Sequence, residues 1–286
     1  MSKTSKIKAH LDNIALSHSV FALPFAYMGA FLAKGSCPSL PDLFYITLAM
    51  VGARSAALAL NNLIDLKYDK IHPRFTKRPM VTGTIKPFEV IILIIISLSV
   101  FLFATSNLAP ICLTLWPFAL IPLVLYPYMK RISFLCHFVL GLALSIAPIG
   151  AWAAITNEIS WEILFLGLAV AVWIAGFDII YSCQDTAFDR ENNLHSVPAD
   201  FGIKKALIIS KSLHVISIMS FVIAGYMLTL NFIYFIGVFA ASMVLIYQHK
   251  IISEDDLSKV TQRYFMRNGL VSIFLFISTV ISLYFY

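Results

Sequence analysis

Long apolar runs, each close to the length that crosses a bilayer, constrain this chain more than any other feature. A lipid-spanning helix needs about 20 largely apolar residues. Nine stretches approach or exceed that length: 14–33, 42–64, 87–105, 109–128, 135–155, 161–181, 206–228, 231–249 and 268–286. In lipid every backbone N–H and C=O must find its partner within the segment, so such runs become helices. The expectation is an all-α, polytopic membrane protein: about nine transmembrane helices in one bundle around a central cavity, with residues 1–286 as a single domain. Only 13% of the residues are charged, where a soluble domain carries about a quarter. Pro24, Pro117 and Pro122 fall inside apolar runs, a placement that membrane helices tolerate. The basic stretch Ser2 to His10 resembles the start of a secretory signal. The run behind it is long enough to span and has no small-x-small cleavage site, so it reads as a retained first helix.

The basic residues give the orientation. Of 21 Lys and Arg, 18 lie in the N-terminal tail or in the even-numbered gaps between runs. By the positive-inside rule, the N-terminus and those gaps face the cytoplasm. With nine spans, Phe285-Tyr286 ends on the opposite side.

Two polar clusters interrupt this pattern. The first, Asn61-Asn62-Leu63-Ile64-Asp65-Leu66-Lys67-Tyr68-Asp69, directly follows an apolar run. Positions four apart share a helix face, so Asn61, Asp65 and Asp69 leave the membrane together. The second, Asp185 to Asn193, repeats the spacing with Asp185 and Asp189, again behind a long apolar run. Carboxylates this close disfavour one another's charge unless a cation lies between them. Hard oxygen ligands with room for water suit Mg²⁺, which bridges carboxylates to substrate phosphates. A solvated, charged helix end is the alternative for either cluster alone; two matching clusters on one side of the membrane favour a metal and diphosphate site.

Arg54 precedes Asn61 by seven positions and Asp178 precedes Asp185 by seven, each inside its apolar run. A charge within a membrane helix marks a functional site by default. These two either line a cavity or pair with each other or with Asn61 as structural links. Around the clusters lie cations suited to an anionic substrate: the loop Lys70 to Pro79 and Lys130-Arg131 behind the fourth run, of which Arg78 and Lys130 each sit beside a helix end near the acidic loops. Such groups clamp phosphates and stabilise a leaving group. His195, a lone loop histidine, reads as a solvated or capping residue sooner than as a catalytic base. Cys37, Cys112, Cys136 and Cys183 stand singly, without metal-site spacing, and read as small buried hydrophobes.

The stretch Asn61-Asn62-x-x-Asp65-x-x-x-Asp69, the downstream Lys77-Arg78-Pro79-Met80-Val81-Thr82-Gly83 and Asp185-x-x-x-Asp189 together resemble the motifs of UbiA-type membrane prenyltransferases. Tyr126-Pro127-Tyr128-Met129-Lys130-Arg131 and Leu11-Asp12-Asn13 are similar to the 4-hydroxybenzoate polyprenyltransferase branch. Tyr181 to Asp185 and Leu194 to Pro198 look like the branch that prenylates 1,4-dihydroxy-6-naphthoate in the futalosine route to menaquinone. Asn62 stands where the family usually has Asp, and Asn193 where a third acid often stands.

The resemblance implies a bacterial inner-membrane enzyme that joins a polyprenyl diphosphate to a ring carbon of an aromatic acid acceptor. It implies Mg²⁺ on Asp65, Asp69, Asp185 and Asp189, and diphosphate departure leaving an allylic cation. Asn61, Asn62, Arg78, Lys130, Arg131, Asp178, Asn193 and His195 are the expected substrate contacts, and Arg54, counted with the four acids as catalytic, holds the acceptor's carboxylate or its hydroxyl network. No protein or nucleic-acid partner is expected. A cation-coupled transporter is the competing reading, but its charges would sit near the midplane of broken helices rather than at two helix ends.

Overall fold

The computed structural model describes residues 3–14, 23–260 and 262–285. Twelve α-helices and one short 3₁₀ turn, with no strand, make up the described residues. The helices are α1 (Lys3–Asn13), α2 (Leu23–Lys34), α3 (Leu40–Asp69), α4 (Pro87–Ser106), α5 (Ile111–Met129) and α6 (Cys136–Thr156). They continue with α7 (Trp161–Ser182), α8 (Thr186–Glu191), α9 (Val197–Phe201), α10 (Ile203–Met227), α11 (Phe232–Ile251) and α12 (Gln262–Tyr284), with the 3₁₀ turn Cys183–Asp185 joining α7 to α8.

Among the described residues, seven helices are long and apolar enough to cross a membrane: α3, α4, α5, α6, α7 with its extension to Glu191, α10 and α11. The other two expected spans correspond to α2 and α12. Residues 15–22 of the first lie outside the described residues, and α12 carries a shorter apolar stretch, Asn268–Tyr284.

Local chemistry fixes the boundaries that matter for the site. Ser39 accepts a hydrogen bond from the Asp42 amide at 3.2 Å and starts α3 just ahead of Pro41. From there α3 runs unbroken for 30 residues, so the first acidic cluster is the last two turns of a membrane helix. Ser196 likewise caps α9 through the Ala199 amide at 3.2 Å. Asn157 adopts a left-handed conformation (φ 61°) behind α6, and its Oδ1 accepts from the Ile111 amide at 3.0 Å, which ties α6 to the start of α5.

Packing follows membrane logic. Phe88, Ile95, Ile96, Phe103, Phe118, Phe232 and Phe239 face outward, while Ser55, Ser145, Ser210, Ser217 and Ser272 are buried. The buried hydroxyls are satisfied within the bundle: Ser210 donates to the Gly176 carbonyl at 2.6 Å and Ser217 to the Ala169 carbonyl at 2.8 Å. Lipid offers little hydrophobic drive between helices, so close approach of small residues supplies the contact. Gly29 of α2 lies against the Pro148 carbonyl of α6, and Gly141 of α6 lies against the Ala171 carbonyl of α7. Of the seven long apolar helices, α7 is the most deeply buried. Its Ile163, Leu166, Val170 and Trp173 pack with Phe25 and Met28 of α2, Phe221 of α10 and Tyr234 of α11. Cys112, Cys136 and Cys183 are buried as expected; Cys37 is exposed, because it lies in the polar turn before α3.

Candidate active site

The ends of α3, α5 and α7 converge on one polar cavity of about 170 Å³. Asn61, Asp65, Tyr68 and Asp69 reach it from α3, and Tyr126 from α5, with Lys130 and Arg131 just beyond that helix. Asp178, Tyr181 and Ser182 come from α7, and Asp185 and Asp189 from the turn and helix that follow. The two acidic clusters, more than a hundred residues apart in sequence, therefore face one space.

Each of the four acids is held by its own cation. Arg131 donates to Asp65 at 2.9 Å, Arg78 to Asp69 at 2.5 Å and Arg74 to Asp185 at 2.5 Å; Lys130 donates to Asp189 at 3.3 Å. Ser196 adds a bond to Asp189 at 3.0 Å. The pairing is cross-wired. Lys130 and Arg131, adjacent at the end of α5, take one acid from each cluster, and Arg74, in the loop after the first cluster, binds the second.

Aromatic faces hold these cations in place. The Arg78 guanidinium lies 3.8 Å from the Phe75 ring centre, and Arg74 lies 5.1 Å from that of Tyr181 while donating to its hydroxyl at 2.9 Å. His72 stacks on Phe75 and leans on Phe188, with centroids at 4.4 and 4.1 Å. Its Nδ1 accepts from the Arg74 amide at 3.2 Å, leaving Nε2 3.3 Å from the Asp185 carboxylate.

The charges of the surrounding loops respond accordingly. Burial opposes the Lys130 ammonium, but the Asp189 and Asp185 carboxylates outweigh it and raise its pKa above the ordinary lysine range. Burial likewise opposes Arg74, and Asp185 more than compensates. For His72 burial wins over the attraction of Asp185 and lowers its pKa, favouring the neutral ring.

As a donor set, two pairs of carboxylates are hard oxygen ligands that fit a divalent cation such as Mg²⁺. Among the described residues no three acid, His or Cys side chains are gathered at one point. A cation held here would therefore complete its shell with water or with a bound phosphate.

Not every residue expected at the site lies in it. Asn62 does not line the cavity: its amide donates to the Asn13 carbonyl of α1 at 2.6 Å, and its Oδ1 accepts from Arg78 at 3.3 Å. Asn193 occupies a left-handed turn position (φ 52°) and does not line the cavity either. The His195 side chain is 45% exposed and pairs with Asp200 at 3.1 Å; its amide donates to the Lys130 carbonyl at 2.6 Å. Asp178 is bound by His137 at 2.7 Å and not by Arg54 or Asn61.

Arg54 lines a second cavity of about 460 Å³ instead, among Phe101, Trp116, Pro122 and Leu142, and its Nε is buried without a partner. The two cavities follow one another along the same helices. Ala57 faces the apolar space and Asn61 the polar one on α3, as do Leu123 and Tyr126 on α5. Sequence reasoning passed over Arg74, Tyr181, Ser196 and His137 as site residues. The spacing of Tyr181, four before Asp185 as Asp185 is before Asp189, was the available signal for one of them; a lone histidine in an apolar run gave none for His137.

The UbiA prenyltransferase family profile matches residues 22–278. The chain is 32% identical over 251 residues to a 4-hydroxybenzoate octaprenyltransferase of Aliivibrio salmonicida (strain LFI1238), covering 87% of this chain and 86% of that one. It is 27% identical over 252 residues to the enzyme of the same name from Vibrio campbellii (strain ATCC BAA-1116), covering 88% of each. Among solved structures, the apo UbiA homolog from Aeropyrum pernix K1 superposes with a TM-score of 0.84 at 32% identity, over 93% of this chain and 98% of that one. A UbiA homolog from Archaeoglobus fulgidus bound to DMAPP and Mg²⁺ has the same fold, with a TM-score of 0.72 at 19% identity over 97% and 99% of the chains.

Proposed function

The chain belongs to the UbiA prenyltransferase family, and from that premise we propose that it moves a polyprenyl group from a polyprenyl diphosphate to a ring carbon of an aromatic acid in quinone biosynthesis. The acceptor is 4-hydroxybenzoate or a close analogue such as 1,4-dihydroxy-6-naphthoate. The observation that carries this reading is the succession of cavities along α3 and α5. A compartment of four acid–cation pairs opens beside an apolar one, matching a molecule with a diphosphate head and a hydrocarbon tail.

Asp65, Asp69, Asp185 and Asp189 would hold Mg²⁺, as the Archaeoglobus relative's bound DMAPP and Mg²⁺ support. When bound, the metal neutralises the diphosphate and stabilises it as a leaving group. Arg78, Lys130 and Arg131, which line the polar compartment, are the chain's own contribution, while Arg74 holds Asp185 from outside its lining. Already ordered by carboxylates and ring faces, the three lining cations bind the phosphate oxygens and favour the charge that grows on them as the C–O bond breaks. The apolar walls keep water from the allylic cation. Arg54, the one guanidinium of that wall, binds the acceptor's carboxylate and turns its ring toward the cation. We read residues 1–286 as one domain, in the bacterial inner membrane, with the acidic pocket on the cytoplasmic side as the lysines and arginines direct.

The test uses membranes containing the protein, Mg²⁺, a labelled polyprenyl diphosphate, and either 4-hydroxybenzoate or 1,4-dihydroxy-6-naphthoate. Labelled prenyl-arene with one acceptor is the expected product. No labelled product with any aromatic acceptor would overturn the reading.

A further inference from the structure

The polar pocket contains a fifth carboxylate, and its surroundings differ from those of the other four. Asp178 lies two turns before Asp185 on α7, roughly 10 Å further into the bundle at 1.5 Å per residue. It lines the same cavity, where Tyr126 also points, and its side chain is 20% exposed. Asp65, Asp69, Asp185 and Asp189 each have an Arg or Lys partner, whereas among the described residues Asp178 has none.

What Asp178 has is His137, the second residue of α6, whose ring is fully buried. The Val197 amide donates to His137 Nε2 at 3.2 Å, so that nitrogen carries no proton. The ring proton is therefore on Nδ1, and it is donated to Asp178 Oδ2 at 2.7 Å. One carboxylate oxygen is fixed by a neutral donor. The other, Oδ1, meets no donor among the described residues. His137 cannot relay a proton onward, because its second nitrogen is occupied by a backbone amide. It orients; it does not react.

We propose that Asp178, aimed by His137, is the base that removes the ring proton of the aromatic acceptor. The proposal rests on the transfer reading above. In that reaction the allylic C–O bond breaks with its electron pair leaving on diphosphate. A π pair of the acceptor ring forms the new C–C bond. The proton on that ring carbon passes to Asp178 Oδ1, its bonding pair restores the aromatic sextet, and the carboxylic acid then returns the proton to water. A carboxylate neutralised by an arginine is a poor base for this step. One held by a neutral imidazole keeps its charge available, and its position inward of the diphosphate acids is where ring and cation meet. His137 is a positioning residue, and Asp178 the catalytic one.

The experiment compares wild type, Asp178→Asn, Asp178→Ala, His137→Ala and His137→Asn with acceptor deuterated at the alkylated carbon. Asp178→Asn should lower kcat about 10²- to 10⁴-fold, the usual range for a lost general base, with KM for polyprenyl diphosphate unchanged. It should also show a primary isotope effect on kcat that wild type lacks, because proton loss becomes slow. Added formate should restore part of the turnover of Asp178→Ala. His137→Ala should reproduce the isotope effect in weaker form, and His137→Asn, which keeps a donor near Nδ1, should remove it. Asp178→Asn with wild-type kcat and no isotope effect overturns the assignment. So does a parallel loss of diphosphate affinity, which would put Asp178 among the diphosphate ligands. If Asp178→Asn does not fold, the two His137 variants decide: equal rates and no isotope effect in both overturn it. A wild-type protein inactive with every aromatic acceptor is a separate result, since it removes the transfer reading itself.

Discussion

Lys130 and Arg131 are neighbours in sequence and hold opposite walls of the pocket: Lys130 reaches Asp189 at 3.3 Å, and Arg131 reaches Asp65 at 2.9 Å. The end of α5 thereby couples the two acidic clusters, which have no covalent path between them shorter than the intervening helices. Asp189 is almost wholly buried (side chain 2% exposed), whereas Lys130 is 31% exposed. Removing the lysine leaves a buried carboxylate without its cation. Lys130→Met should cost about 2 kcal/mol of stability, below the 3–5 typical of fully buried pairs because solvent screens part of this one. The double variant Lys130→Met/Asp189→Asn should recover most of that stability and none of the activity. Thermal unfolding in detergent and the prenyl-transfer assay separate the two effects.

Divalent metal is expected to be required. Excess chelator should abolish turnover and added Mg²⁺ restore it. Asp65→Ala and Asp185→Ala should each reduce turnover by about 10³-fold or more, in the range of losing a principal electrostatic stabiliser. Asp65 is partly exposed, whereas Asp185 is buried against Arg74, so its loss also lowers stability and thermal unfolding is measured beside turnover. Activity that survives both substitutions would remove these residues from the metal site.

Asn62 gives the opposite prediction. Its amide is committed to the Asn13 carbonyl and its oxygen to Arg78. Asn62→Ala should lower stability by about 1 kcal/mol through loss of a hydrogen bond between α1 and α3. The Mg²⁺ concentration for half-maximal activity should not move. A Mg²⁺ titration of the variant checks this, and a large shift would put Asn62 back among the ligands.

The contrast between Asn62 and Asp65 shows how far the sequence could be read. Helical periodicity placed Asn61, Asp65 and Asp69 on one face, and hydropathy placed that face at a membrane boundary, because both depend on spacing within one element. The partner of each acid depends on how separate elements dock. Arg74 was one charge among several in a proline-flanked loop, and only the fold brings it across to Asp185 at 2.5 Å. His137 carried no periodic signal, since its meaning comes from Asp178 on the next helix and the Val197 amide beyond it. Asn193 continues the four-residue spacing of the acids and His195 stands two beyond it, but the chain turns at Asn193, and it is Leu194 between them that lines the pocket.

Arg54 tests the boundary between the two cavities. It lies seven residues before Asn61, on the wall of the apolar space, with Nε buried and unpartnered. A guanidinium in such surroundings is costly unless an anion meets it. If that anion is the acceptor's carboxylate, Arg54→Ala should raise acceptor KM at least about 10-fold, the effect of one lost charged hydrogen bond of roughly 1.5–3 kcal/mol. The KM for polyprenyl diphosphate should stay constant, because the cations lining the polar pocket are Arg78, Lys130 and Arg131 and Arg54 is not among them. Arg54→Lys should recover little, since a point charge does not reproduce the two-pronged contact of a guanidinium. Steady-state kinetics with each substrate varied in turn distinguishes the outcomes: an unchanged acceptor KM in Arg54→Ala would exclude this residue from acceptor binding and leave it a structural charge of the bundle.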